Sequence, residues 1–185
     1  VQTCALPISK GVDIYPGFPA SEVIYEDDVV KGVVTGDFGI SKDGNAKESH
    51  MQGMEIRAKY TIFAEGARGH LAKEVIGKFN LDSNSDYQKY GLGIKELWEI
   101  PAKYHKPGLV QHTMGWPLDN KTGGGSFMYH FDKNLVSIGF VLHLNYSNPT
   151  ISPFEEFQKF KTHPLIKDYL RDGKRISYGA RVISE

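Results

Sequence analysis

Residues 60–79 read YTIFAEGARGHLAKEVIGKF, and this stretch decides how the first half of the chain is built. Tyr60, Thr61, Ile62 and Phe63 are β-formers side by side, so 55–64 is expected to be a strand, with both faces buried. Gly66 breaks the run. Leu71, Val75, Ile76 and Phe79 then recur at helical spacing, which predicts a helix over 69–79. A strand that ends in Glu65-Gly66 and enters a helix presents backbone N–H groups to an anion. Gly66 also allows a ligand close to the main chain. An ordinary strand–helix turn needs the same residues, so the stretch alone leaves both readings open.

Outward from this unit the pattern is mixed. Upstream, 12–15, 21–25 and 29–35 read as short strands, the last two joined through Glu26-Asp27-Asp28 as a hairpin. GDFGISKDG (36–44) is a glycine-rich loop ending in a turn pair, and 46–53 is polar and expected to be exposed. Downstream, the polar stretch 80–88 marks a boundary. Strands follow at 90–99, 109–115, 126–131 and 135–144, the signature of an antiparallel sheet. Ser152-Pro153-Phe154-Glu155 is a helix start with a capping serine and a first-turn proline. His163-Pro164 interrupts that helix, a second short one runs to about 171, and 175–183 is a last strand. The fold class expected is α+β.

Composition removes several functions. Lys plus Arg is 22 and Asp plus Glu is 22 in 185 residues. No cationic excess exists to bind nucleic acid. The single cysteine, Cys4, cannot hold an iron–sulfur cluster by itself. None of the seven histidines stands in metal-ligand spacing, so no metal ligand is assigned. No nucleophile elbow or Walker loop occurs. The longest apolar run, 135–144, is far short of the ~20 residues of a spanning helix. Residues 1–8, VQTCALPI, match the translation of a common sequencing adapter. Residues 1–10 are therefore expected to be a non-native leader, a mobile tail being the rival reading.

A second candidate site is Gly123-Gly124-Gly125-Ser126. Three glycines between strands can be a plain turn. They can also let a flat ligand reach the backbone, where an N–H would grip a quinone carbonyl. Trp116 and Phe127 could wall the ring, though such residues are more often simple core.

Several segments carry a resemblance to a known family. FAEGARGHLAK (63–73), GLGIKELWEI (91–100), HTMGWPLDNKTGGGSFMYH (112–130) and KRISYGAR (174–181) resemble the electron transfer flavoprotein–ubiquinone oxidoreductases. GDFGISKDG (36–44) and NPTISPFEEFQKFKTHP (148–164) agree, in order, from about Gly11 onward. The resemblance implies a partial FAD-binding domain of the glutathione-reductase/hydroxylase type over 11–85. It implies an antiparallel-sheet ubiquinone-binding domain with flanking helices over 86–172, and a strand returning to the FAD domain over 173–185. FAD is then expected to meet Glu65, Gly66, Arg68 and Gly69, and ubiquinone to meet Gly124, Gly125 and Trp116. The family passes electrons from reduced electron transfer flavoprotein to ubiquinone. Its members also carry a [4Fe–4S] cluster and lie as peripheral or monotopic proteins on the mitochondrial inner or bacterial cytoplasmic membrane.

This sequence departs from the family and its relatives at several points. Gly123 stands where many members have an aromatic residue, and Glu65 and Gly69 replace the types used by flavin hydroxylases. The G-x-G-x-x-G phosphate motif and the four cluster cysteines are absent, so the cluster ligands are expected beyond residue 185. No residue is named as catalytic, and the 185 residues alone are expected to be inactive. The alternatives are a geranylgeranyl-reductase-like flavoprotein and a non-catalytic module for an apolar ligand.

Overall fold

The computed structural model describes residues 9–184. The expected leader over 1–10 falls mainly on residues 1–8, which lie outside the described residues. The chain divides into two compact units, residues 1–81 and 82–185.

In the first unit, β1 (Ala20–Glu26), β2 (Val29–Thr35) and β5 (Glu55–Arg57) form an antiparallel sheet in the order β1-β2-β5. Asp27 and Asp28 both take left-handed φ, 49° and 58°, which a two-residue hairpin turn needs and which Asp tolerates. A separate ribbon pairs β3 (Phe38–Ile40) with β4 (Ala46–Met51). Helix α1 (His70–Phe79) ends at Asn80, whose φ of 52° is the left-handed conformation common just past a helix. It packs on β1 through Tyr25: the rings of Tyr25 and Phe79 lie 6.0 Å apart. The Tyr25 hydroxyl donates to Glu74 Oε1 at 2.9 Å.

The strand expected over 55–64 is cut to three residues. Ala58 N–H still donates to the Lys31 carbonyl at 2.9 Å. Beyond it no described strand runs alongside, and Tyr60 and Ile62 stand 90% and 89% exposed. A strand needs a neighbour for its N–H and C=O groups, however β-prone its side chains are. The short strand expected at 12–15 does not form either.

The second unit is a five-stranded antiparallel sheet in the order β10-β6-β9-β8-β7. Its strands are β6 (Tyr90–Glu99), β7 (Val110–Met114), β8 (Gly124–Phe131), β9 (Leu135–His143) and β10 (Lys174–Ser184). The last strand, expected to return to the first unit, is found hydrogen-bonded to β6, in register from Lys174↔Glu99 to Ser184↔Tyr90. Between β9 and β10 lie α2 (Pro153–Lys161) and α3 (Pro164–Leu170). Helix α2 begins as its sequence predicts: Ser152 Oγ accepts from the Glu155 N–H, and Pro153 opens the first turn.

These helices cover one face of the sheet. Val136, Ile138, Phe140 and Leu142 alternate along β9 and are fully buried with Met128, Phe157 and Phe160. Phe157 and Phe160 from α2 stack on Phe140, with ring centroids 6.2 and 5.8 Å away. Glu96, 2% exposed, pins the same assembly by charge. Its carboxylate accepts from Lys161 Nζ at 2.8 and 2.9 Å, from Trp98 Nε1 at 2.8 Å and from Arg175 at 3.1 Å. Burial pushes this carboxyl up, but the donors from Lys161, Trp98 and Arg175 outweigh it and hold it below the ordinary 4.5.

His130 is buried nearby, with Nδ1 accepting the Lys106 N–H at 3.1 Å and its ring against His105 and Tyr169. Burial, with the charges of His105 and Lys106, lowers it from 6.5 to about 4. The unfolded chain therefore takes up this proton before the folded one. Its contribution to stability is complete above pH 6.5 and is lost as pH falls towards 4. We expect the unfolding free energy to drop by roughly 3 kcal/mol or less across that window in chemical denaturation. In His130→Asn, which keeps an acceptor for Lys106, the slope should disappear and acid loss should begin only where Glu96 protonates. An unchanged slope in the variant would contradict the assignment.

Candidate functional site

Two bends carry the residues singled out by the sequence, one in each unit. In the first, a single 3-10 turn (Gly66–Arg68) joins the extended segment to α1. Glu65 folds back over this turn. Its oxygens accept the N–H groups of Ala72 at 2.7 Å and Leu71 at 3.4 Å, and His70 Nδ1 lies 3.3 Å away. Its own carboxylate thus fills the positive end of α1, the place a bound anion was expected to take. Gly69 is explained by the same fold, since a Cβ there would strike the Glu65 side chain. Gly66 differs. Its φ is +77°, and a Cβ would meet nothing within 4 Å, so the space over its backbone is open. Arg68 is exposed, and no described residue pairs with its guanidinium.

In the second unit, the turn over 115–118 packs on the glycine run. Gly115 N–H donates to the Gly124 carbonyl at 3.1 Å, and Leu118 N–H to the Gly115 carbonyl at 3.0 Å. Here the glycines are required by the protein itself. A Cβ at Gly124 would run into the Val141 carbonyl and Leu118 Cδ1, and one at Gly125 into the Thr113 carbonyl. The Gly123 carbonyl accepts from the His143 N–H at 3.0 Å. Much of the bareness at 123–125 therefore serves the close approach of β7, β8 and β9.

Trp116, followed by a cis bond to Pro117, is 47% exposed. Its indole meets the His163 ring at 5.0 Å and 59°. The two sit at an apolar slot of about 220 Å³ that also takes in Gln111, Thr113, Phe160 and Ile166. Met114 and Leu165, 89% and 63% exposed, form its mouth. Thr113 shares its hydroxyl with Ser126. Gln111 and Thr113 lie on one side of β7, opposite Met128 and Ser126 on the helix-covered face. Phe127, expected as a wall, pairs with the alternate residue His112 on the other face. It stacks there on Tyr129 at 4.8 Å, and its ring fills the space a Cβ at Gly139 would take.

The structure thus sets Trp116 one residue from the Gly115–Gly124 hydrogen bond and places beside it His163, Gln111, Phe160 and Ile166, which sequence reasoning did not assign to a site. The period of two along β7 and the break at His163-Pro164 were the only local traces of them. Among the described residues no cluster of His, Cys, Asp and Glu could hold a metal ion. No helix among them is long and apolar enough to cross a membrane.

Solved structures define the class of fold first. A geranylgeranyl bacteriochlorophyll reductase-like protein from Thermoplasma acidophilum superposes with a TM-score of 0.60 at 18% identity, over 99% of this chain and 40% of that one. A flavin-dependent brominase does so with a TM-score of 0.54 at 11% identity, over 96% and 40%. The fold is therefore one found within flavin-dependent enzymes.

Sequence comparison narrows it. The family model described as ETF-QO, ubiquinone-binding matches residues 90–183, just over half of the chain. The electron transfer flavoprotein-ubiquinone oxidoreductase of Pseudomonas aeruginosa is 58% identical over 175 residues, covering 94% of this chain and 32% of that protein. The mitochondrial one of Homo sapiens is 54% identical over 178 residues, covering 95% and 29%. The chain belongs to the electron transfer flavoprotein–ubiquinone oxidoreductase family and spans about a third of the length of these relatives.

The clash at Gly125 has a direct consequence. Gly125→Ala should lower stability by about 1–3 kcal/mol, read as a fall in the denaturation midpoint, because β7 must shift to admit the methyl group. Gly66→Ala, where space is open and only φ is unfavourable, should cost about 1 kcal/mol. Equal stability of Gly125→Ala and the unsubstituted chain would show that β7 does not close on β8 as described.

Proposed function

We propose that this chain is part of an enzyme that takes electrons from reduced electron transfer flavoprotein and delivers them to ubiquinone. Family membership carries the proposal, and every residue of the slot beside Trp116 falls within the segment that the ubiquinone-binding family model matches. The quinone ring lies in this slot against Trp116, one residue along from the Gly115 N–H that holds the Gly124 carbonyl. Apolar walls exclude water there, and a few polar groups fix orientation, the usual composition of a small-molecule site. An indole at the edge of the slot offers a flat face for a flat ring.

FAD supplies the redox chemistry when bound, and the chain positions it. Gly66 gives it an open approach to the main chain, and Arg68 brings an unpaired cation; Glu65 orders the turn by capping α1. Because that carboxylate occupies the helix end, a phosphate of FAD does not sit there. The described residues contain no cysteine, so they do not fit a [4Fe–4S] cluster, and no step is assigned to one here. The exposed apolar mouth, Met114 and Leu165 with Trp116, suits a membrane surface from which a hydrophobic quinone enters. That membrane is the mitochondrial inner membrane or the bacterial cytoplasmic membrane.

The test uses the purified holoenzyme containing this chain. With Trp116→Ala, the KM for a short-chain ubiquinone should rise about tenfold while reduction of the flavin by electron transfer flavoprotein keeps its rate. Unchanged quinone kinetics would remove the slot from the reaction path. Slowed flavin reduction would show that Trp116 acts on the wrong half of the cycle for this proposal.

A further inference from the structure

We propose that His163 is the side chain that hydrogen-bonds the quinone, through its Nε2–H, with the Gln111 amide as the second polar contact in the slot. This rests on the reading of the slot as the quinone site and adds residues that the family resemblance does not supply. The argument begins with the tautomer. His163 precedes α3, and its Nδ1 accepts the Leu165 N–H at 3.2 Å. A neutral imidazole held that way carries its proton on Nε2 and offers it as a donor. No described residue bonds that nitrogen, and none bonds the Gln111 amide.

Apart from the indole N–H of the half-exposed Trp116, these are the two polar side chains of the slot with no partner among the described residues; Met114, Phe160, Leu165 and Ile166 bound the rest, and Thr113 is paired with Ser126. Unpaired donors in an apolar slot select a ligand with acceptor oxygens on an apolar frame. At about 220 Å³, the space is below the 300 Å³ lower bound usual for drug-sized ligands. It suits one substituted ring rather than an extended polyprenyl chain. A benzoquinone fits both conditions, having a flat apolar ring with carbonyl acceptors at opposite ends. Negative charge grows on those oxygens during reduction, so a donor fixed in advance stabilises the reduced forms more than the oxidised one. Two features fix His163 in place. Its ring packs at a tilt against Trp116, and the chain leading to it leaves α2 at Lys161, which is bonded to the buried Glu96.

Two substitutions separate the donor from the helix cap. In His163→Asn the side-chain oxygen can replace Nδ1 as the cap of α3, but nothing reaches the Nε2 position. In His163→Gln an amide N–H stands near that position. The holoenzyme is used, with isothermal titration of a short-chain ubiquinone, steady-state quinone reduction, and flavin reduction by electron transfer flavoprotein. His163→Asn should weaken quinone binding and raise its KM about tenfold, with flavin reduction unchanged. His163→Gln should stay within about threefold of the unsubstituted enzyme.

Binding by His163→Asn within twofold of the unsubstituted enzyme would overturn the proposal. Equal losses in both variants would also overturn it, because they place the effect in the ring contact with Trp116. If the unsubstituted holoenzyme neither binds nor reduces the quinone, the quinone reading of the slot falls first.

Discussion

The seat of α2 on the sheet is the interaction on which the second unit depends. An antiparallel sheet with one apolar face must bury it, and here Phe157 and Phe160 stack on Phe140 of β9 to do so. Glu96 fixes the register of that contact by drawing Lys161 from α2 and Arg175 from β10 onto one buried carboxylate. A buried carboxylate is costly unless it is paired and hydrogen-bonded, and four short contacts satisfy this one. Everything after Lys161 inherits that placement, including the turn that carries His163 to Trp116. The slot is thus a by-product of how one helix is clamped to one sheet, which makes its geometry rigid.

Glycine plays two different parts in this chain. At 123–125 the missing side chains let three strands and the Leu118 turn close on one another, and the space is already taken. At Gly66 the missing side chain leaves free space above a left-handed turn. The same residue type therefore signals packing in one unit and open approach in the other. Only the neighbours tell the two apart, and those neighbours are distant in sequence. The same holds for Glu65: next to Gly66 in a line of text it reads as a ligand contact, while in the fold its first task is to cap α1.

Local physics made the legible parts legible. The start of α2 at Ser152-Pro153, the β1–β2 hairpin through Asp27-Asp28, the length of α1 and the alternation of β9 each follow from interactions a few residues long. The extent of the strand at 60–64 could not be read that way, because β-propensity describes a side chain's fit to a sheet and not whether a partner strand is present. The slot was equally hidden. Histidine spacing along the chain excludes a metal motif but says nothing of His163 standing beside Trp116. Gln111 becomes notable only once β7 is known to be an edge strand with its amide turned towards the helices. The family likeness was legible because whole segments matched in order, which single glycine motifs do not achieve.

Photoaffinity labelling of the holoenzyme with an azido-ubiquinone, followed by peptide mapping, tests the central claim most directly. The account predicts label on peptides containing 111–116 and 160–166, suppressed by excess short-chain ubiquinone. Competable label confined to the first unit, or to the Phe127–Tyr129 face of the sheet, would contradict it.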